Sequence, residues 1–214
     1  MTRVLAAAGA NRCIPPTEAT RLIQTYLRAK DENRPYLMPA AFAPDAMVEM
    51  VVPGGEISFP ARMDGLDSIT QVLVRDFSRS YENIYTFCLD APVQAVADNG
   101  FGCDWLVLMT DKASGSARVG CGSYRWQFRR DYQWRVRRLI IEIRVMRVLP
   151  AAKAPALFNW STRLSYPWTA HDEVLAYAPA WPALEPLREF LGRALLCPRV
   201  DTPKDPNQNE DSEP

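Results

Sequence analysis

Apolar positions recur along this chain at two spacings, and the change between them outlines the fold. Behind Thr17, a candidate cap, Ala19, Leu22, Ile23, Tyr26 and Leu27 follow at helical spacing and predict an opening helix. A second short helical piece, 36–42, lies between Pro35 and Pro44. Residues 46–52 read as a strand stopped by Pro53-Gly54-Gly55, and 56–63 as a second extended piece with Ile57 and Phe59 set against Ser58. After Gly65, the stripe Leu66, Ile69, Val72, Leu73 and Phe77 predicts another helix, with Asp67 or Ser68 as cap. The spacing then falls to two. Strands are predicted at 84–96 (where Pro92 calls for a bulge or an edge), 101–110, 117–129 and 133–148, joined by turns at 112–115 and near Asp131. Strands in sequence joined by short turns imply a curved, mainly antiparallel sheet packed on the N-terminal helices, an α+β fold.

Texture changes at Pro150. Trp160, Tyr166, Trp168, Tyr177 and Trp181 interleave with six prolines between Pro150 and Pro186, and a last helix is predicted at 183–196. Aromatics at that density call for burial on the core or on a partner. Beyond Arg199 the chain is acidic and polar and is expected to be disordered. The predicted organisation is an arm (1–16), an α+β unit (17–149), an aromatic, proline-rich extension (150–199) and a tail (200–214).

Composition narrows the function classes. The 214 residues carry 25 basic and 25 acidic side chains, which argues against a dedicated nucleic-acid binder. No apolar run approaches the roughly 20 residues of a membrane span, and the apolar stretch at 4–10 is too short for an export signal. A cytoplasmic location is expected. The five cysteines are scattered without zinc spacing, which suits reduced, buried thiols, and the single histidine, His171, excludes a multi-histidine metal centre. With no phosphate-binding glycine loop and no hydrolase elbow, no cofactor is expected.

Three short features occur in a telling order: Phe42-Ala43, Asp45-Ala46-Met47-Val48-Glu49, and Gly65-Leu66-Asp67-Ser68-Ile69. Together they resemble the SnoaL-like branch of the nuclear-transport-factor-2-like superfamily, relatives of ketosteroid isomerase, scytalone dehydratase and polyketide cyclases. The resemblance covers about 17–148 and implies a cone-shaped half-barrel enclosing a deep pocket. That frame hosts enzymes, binding proteins and scaffolds alike, so function must come from the site.

Strand alternation places Tyr124, Trp126 and Phe128 on one face and Ser123, Arg125, Gln127 and Arg129 on the other. On the next strand, Leu139, Ile141, Ile143 and Val145 oppose Glu142 and Arg144. The concave face is therefore apolar, either filled core or a pocket lined by Met50, Phe59, Phe77, Trp126, Leu139 and Ile143. The resemblance puts Tyr26 at the position of the isomerase tyrosine that polarises the steroid oxygen, and Tyr124 near that of its second donor. Two phenols could polarise a carbonyl. Met50, however, stands where the isomerase carries its aspartate base, which removes steroid-type proton transfer. A single histidine also rules out the paired histidines of scytalone dehydratase. The aspartate–histidine pair of SnoaL-type cyclases would need His171, which lies outside the resembling region and reads, beside Asp172 and Glu173, as a surface or capping residue. The acids near the mouth are Asp45, Glu49, Glu56, Asp64 and Asp90; of these, Asp45 reads as solvated and Glu49 as facing away from Met50. Glu56, in the loop after Pro53-Gly54-Gly55, is the carboxylate placed to turn inward. Tyr26, Tyr124 and Glu56 are the catalytic candidates.

Between Arg118 and Arg147 there are nine arginines and two acids, Asp131 and Glu142. A nucleic-acid platform would interleave exposed aromatics with them, but here the aromatics point inward. A solvated or dimeric sheet face is expected instead, with Glu142 and Arg144 paired. The resemblance implies a homodimer through the outer sheet. Three functions stay open. They are a lyase, isomerase or cyclase acting on a small hydrophobic molecule, a non-catalytic binder of such a molecule, and a protein-interaction module.

Overall fold

A computed structural model describes residues 13–52, 59–93 and 97–196. Glu56, the Pro53-Gly54-Gly55 turn and the acidic tail lie outside the described residues. Helix α1 (Pro16–Asp31) starts on a proline at its first position, with Pro15 before it and no side-chain cap, so Thr17 lies within the first turn. Its buried stripe runs Ala19, Leu22, Ile23, Tyr26, Leu27 and Lys30. After a 3-10 turn (Pro35–Leu37) and the single-turn α2 (Met38–Ala41), the predicted helical piece stops early. Phe42 and Ala43 open β1 (Phe42–Val51), because Phe42 pairs in parallel with Val136.

Strand β2 (Arg62–Asp64) is followed by Gly65 at φ 82°, a conformation that favours glycine and turns the chain into α3 (Leu66–Thr70). Neither Asp67 nor Ser68 caps this helix. One π-helical turn (Gln71–Asp76) links α3 to α4 (Phe77–Ser80). Then come β3 (Tyr81–Leu89), β4 (Gly100–Asp111), β5 (Ala117–Arg130) and β6 (Trp134–Leu149). Strand β3 ends before Pro92, which thus needs no bulge. Among the described residues the sheet runs β2-β1-β6-β5-β4-β3-β7, where β7 (Trp168–Thr169) comes from the extension. The pairs β1–β6 and β3–β7 are parallel and the others antiparallel, so the sheet is mixed.

Two register shifts between β5 and β6, at Gln127/Phe128 and Cys121/Gly122, leave Arg137 and Arg144 as extra residues on β6 and sharpen the curvature. Each extra residue also reverses the alternation. Trp134 and Val136, then Leu139, Ile141 and Ile143, then Met146 face inward, whereas Val145 faces outward, against the expectation of strict period two.

Both sheet faces carry a helical layer, the outer one over part of its area. The inner face packs on α1, α3 and α4. The outer face of β3, β4 and β5 packs on α5 (Ala154–Ser161), α6 (His171–Tyr177) and α7 (Glu185–Leu196). There Leu106, Leu108 and Val119 meet Leu157, Leu184, Leu187 and Leu191, all without solvent contact. Of the extension's aromatics, Trp160 and Trp181 join this layer, Trp168 packs against the inner cluster, and Tyr166 and Tyr177 stay partly in solvent. Truncating Leu187 to alanine should cost about 2–5 kcal/mol in urea-induced unfolding; a loss under about 1 kcal/mol would show that this layer contributes little to global stability. What stays open of the outer sheet is β1, β2 and parts of β5 and β6, where Val51, Arg125 and Arg144 are exposed and Arg144 pairs with Glu142 at 2.8 Å. A second copy approaching through the sheet would have to dock there.

Candidate functional site

The inner wall begins with Tyr26, placed by α1 at the base of an aromatic cluster. Its ring lies 5.5 Å from Phe42, 5.5 Å from Trp126 and 6.5 Å from Tyr124, all edge-on. Tyr124 in turn stacks on Trp105 at 5.7 Å, and Trp126 on Phe128 at 6.5 Å. Inward alternation on β4 and β5 brings these rings together. The hydroxyls of Tyr26 and Tyr124 share a hydrogen bond. Burial, and then the charge of Asp31, raises the Tyr26 phenol far above its ordinary range. Burial likewise raises Tyr124, followed by Tyr26, Cys88 and Asp31. Both phenols are therefore neutral donors.

Eight of the nine expected site residues share this inner cluster. Tyr26, Tyr124, Trp126, Leu139 and Ile143 are buried in it, and Met50, Phe59 and Phe77 pack against it half-buried. Glu56 is the ninth, outside the described residues. The indole N–H groups of Trp105 and Trp126, both buried, have no acceptor among the described residues. Cys88 on β3 and Cys103 on β4, both free thiols, face the same interior and are hydrogen-bonded to each other, and burial holds Cys88 well above the ordinary thiol range.

Charge enters where sequence reasoning did not place it. Lys30 and Asp31, at the last turn of α1, have side chains only 7% and 2% exposed and pair with each other. Lys30 Nζ also donates to Thr86 Oγ1 (2.8 Å) and lies 4.9 Å from the centre of the Phe77 ring. Asp31 accepts from the Thr86 N–H (2.7 Å), the Thr86 hydroxyl (3.0 Å) and the Tyr166 hydroxyl (3.3 Å). The backbone pattern explains the first of these. Along the free side of β3, the Cys88 N–H goes to Pro167 O and the Asp90 N–H to Thr169 O, and Asp31 takes the next donor, Thr86. One signal for Lys30 was available, since it follows Tyr26 by four residues and so continues the buried stripe.

His171 departs from the surface or capping role expected of it. It opens α6 with 7% exposure, its Nδ1 2.9 Å from Asp90 Oδ2 and its Nε2 3.0 Å from Asp104 Oδ2. Burial works to lower its pKa, but the bond to Asp104 and the charges of Asp90 and Asp104 outweigh it and raise the pKa above the ordinary value. Asp104 alternates with inward Cys103 and Trp105, so this cluster lies on the outer side of the sheet, away from the phenols.

A surface groove of about 670 Å³ is lined by Ala180, Trp181, Pro182, Glu185, Arg188 and Glu189. It is open, carries both signs of charge and includes none of the inner-wall residues. Among the described residues, no cluster of three or more histidine, cysteine or acidic side chains suits a metal ion, and no helix is long and apolar enough to cross a membrane.

No family profile and no curated protein matches this sequence. Solved structures do match. The crystal structure of LinA superposes with a TM-score of 0.52 at 12% identity, over 62% of this chain and 88% of that one. A hexachlorocyclohexane dehydrochlorinase (LinA) Type2 gives 0.51 at 14% identity, over 62% and 87%. A nuclear transport factor 2 (NTF2-like) superfamily protein from Salmonella enterica gives 0.48 at 17%, over 59% and 88%. The shared part is the size of the α+β unit, and at these identities it speaks for fold alone. Over that unit the chain shares the α+β fold of LinA, a curved mixed sheet packed on its N-terminal helices.

Proposed function

We propose that the inner wall of the cone binds a small, largely apolar molecule and transfers a proton on it, as a lyase or isomerase. The observation that carries this reading is the Lys30–Asp31 pair, nearly solvent-free and within electrostatic reach of Tyr26, Tyr124 and Cys88. Charges withdrawn from water are costly and rarely gain stability in return, and such groups gather at functional sites. Asp31 supplies the carboxylate that Met50 cannot. In this scheme it takes a proton from a substrate carbon. The electron pair released then either expels a leaving group or moves onto a carbonyl oxygen. The Lys30 ammonium and the neutral phenols face the negative charge that develops.

The lining also selects the ligand. Phenol hydroxyls, indole N–H groups and an ammonium are donors, and the Asp31 carboxylate beside them is already bonded. An apolar ring bearing an acceptor oxygen meets that lining better than a bare hydrocarbon. The dehydrochlorinase with the same fold acts on hexachlorocyclohexane, an apolar ring that loses a proton and a chloride, so elimination is one chemistry to assay.

A second reading has its own support. Both oxygens of Asp31 are engaged by Lys30, Thr86 and Tyr166, which suits a structural cap on β3 in a protein that binds without catalysis. One experiment separates the two. Ligands co-purifying with the full chain are identified by native mass spectrometry, and the complex is moved to D₂O. Proton transfer predicts deuterium at a ligand carbon, slowed about 100-fold or more in a folded Asp31→Asn variant. A bound ligand that takes up no deuterium and is not converted would leave a binder. If no ligand is found and Tyr26→Phe leaves thermal shifts by cyclic ketones and phenols unchanged, both ligand readings fail.

A further inference from the structure

His171 sits between two groups that, when ionised, only accept hydrogen bonds. With Asp90 at 2.9 Å on one ring nitrogen and Asp104 at 3.0 Å on the other, both nitrogens must donate, and only the imidazolium does so. A neutral ring would leave one carboxylate facing a lone pair. Among the described residues, the same short stretch of chain also supplies the hydrogen bonds that tie the extension to the β3 edge and to α1. Pro167 and Thr169 accept from the Cys88 and Asp90 N–H groups, β7 pairs with Cys88 and Leu89, and Tyr166 donates to Asp31. Asp90 therefore grips this arm twice, once by its backbone and once by its carboxylate, from a left-handed conformation (φ 67°) that aims the side chain at the ring.

We propose that residues 166–171 form a proton-operated arm: with His171 charged the arm seats Tyr166 on Asp31, and with His171 neutral it leaves the β3 edge. Among the described residues, the following titratable groups lie around the ring. Asp104 faces it from β4 and Asp90 from the end of β3. Within α6, Glu173 is bonded to Thr169 and Asp172 to the Glu173 N–H. From β5, Cys121 lies near Asp104, and burial keeps its thiol neutral. On α7, which packs on α6, Arg188 is committed to the Ala178 carbonyl. Because the folded pKa is raised, the arm is fully held below the ordinary histidine value of about 6.5. It is lost as pH climbs through the higher folded value, which is the reverse of a carboxylate-driven transition. Only the consequence for Asp31 rests on the proton-transfer reading; the arm itself does not.

The test of the arm uses the full chain, and only its last comparison needs a ligand. With ring-¹⁵N histidine, the single residue gives one pair of nitrogen signals, which should report both nitrogens protonated at pH 7 and a titration midpoint above about 6.5. Hydrogen exchange of the segments 86–90 and 166–171, corrected for intrinsic rate, should quicken about tenfold across that midpoint. Asp90→Asn, at a side chain 69% exposed and thus tolerant of change, should lower the midpoint and quicken exchange at pH 7. Asp104→Asn should do both more strongly if it folds. A ring that titrates at or below 6.5 in the wild type, or exchange at 86–90 that ignores the titration, would overturn the arm. If exchange follows the titration while Asp31→Asn leaves ligand deuteration unchanged, the arm stands and the proton-transfer reading falls.

Discussion

Gly122→Ala should prevent this chain from folding to its native sheet, or cost about 3 kcal/mol or more where it does fold. The position lies where β5 meets the extra residue of β6, and the backbone of Glu142 comes so close that an added Cβ would stand 1.8 Å from its carbonyl oxygen. The ring of Trp105 closes the other side at 2.8 Å. A side chain in the way could swing aside, but a carbonyl in the central β5–β6 ladder can move only by taking the ladder with it. The bulge could then relax only by losing register, and a one-residue slip would turn Tyr124 and Trp126 out of the inner wall. Gly192, inside α7 with nothing within 4 Å of its missing Cβ, is the matched control. Gly192→Ala should gain about 0.5–1 kcal/mol through helix propensity. Guanidinium melts of the two variants decide the matter. Similar, small effects would mean that the bulge at Gly122 is far more pliable than its geometry indicates.

That bulge also marks the limit of what the sequence shows. The rows Tyr124-Trp126-Phe128 and Leu139-Ile141-Ile143 were legible because each sits on one uninterrupted stretch of period two. Val145 was not, because Arg144 bulges just before it, and an arginine pointing at solvent looks the same in or out of register. Phe42 was assigned to a helix end by its prolines, yet its partner Val136 is far along the chain in a parallel pairing that no local pattern encodes. The site divides in the same way. Phenols and aromatics on repeating faces were found. His171 was read as a surface or capping residue and Lys30, Asp31 and Asp104 were not singled out, since the partners that hold them across the fold lie 55 to 135 residues away and only the folded chain supplies them. Local spacing predicts faces, whereas buried charge is decided by what arrives from elsewhere.

The second large effect expected is at that buried charge. Lys30→Met keeps the length and most of the apolar stem of the side chain, so packing against Phe77 should survive, and the loss should be electrostatic. Removing one member of a buried pair strands the other, and a destabilisation of about 3–5 kcal/mol is expected at neutral pH. Asp31→Asn keeps an oxygen for the Thr86 N–H and should cost less, about 1–3 kcal/mol. If the two side chains act as one unit, the double variant Lys30→Met/Asp31→Asn should cost at least about 1 kcal/mol less than the two single losses combined, read from urea midpoints at constant m. This coupling bears on function as much as on stability. A double variant about as stable as the wild type but unable to deuterate the bound ligand would mean that the pair is kept for its chemistry, since neutral groups hold the fold equally well. A double variant that unfolds would instead make Asp31 the cap that β3 cannot lose. Should Lys30→Met alone cost less than about 1 kcal/mol, water must reach the pair, and the reading of a desolvated proton-transfer site would lose the observation it stands on.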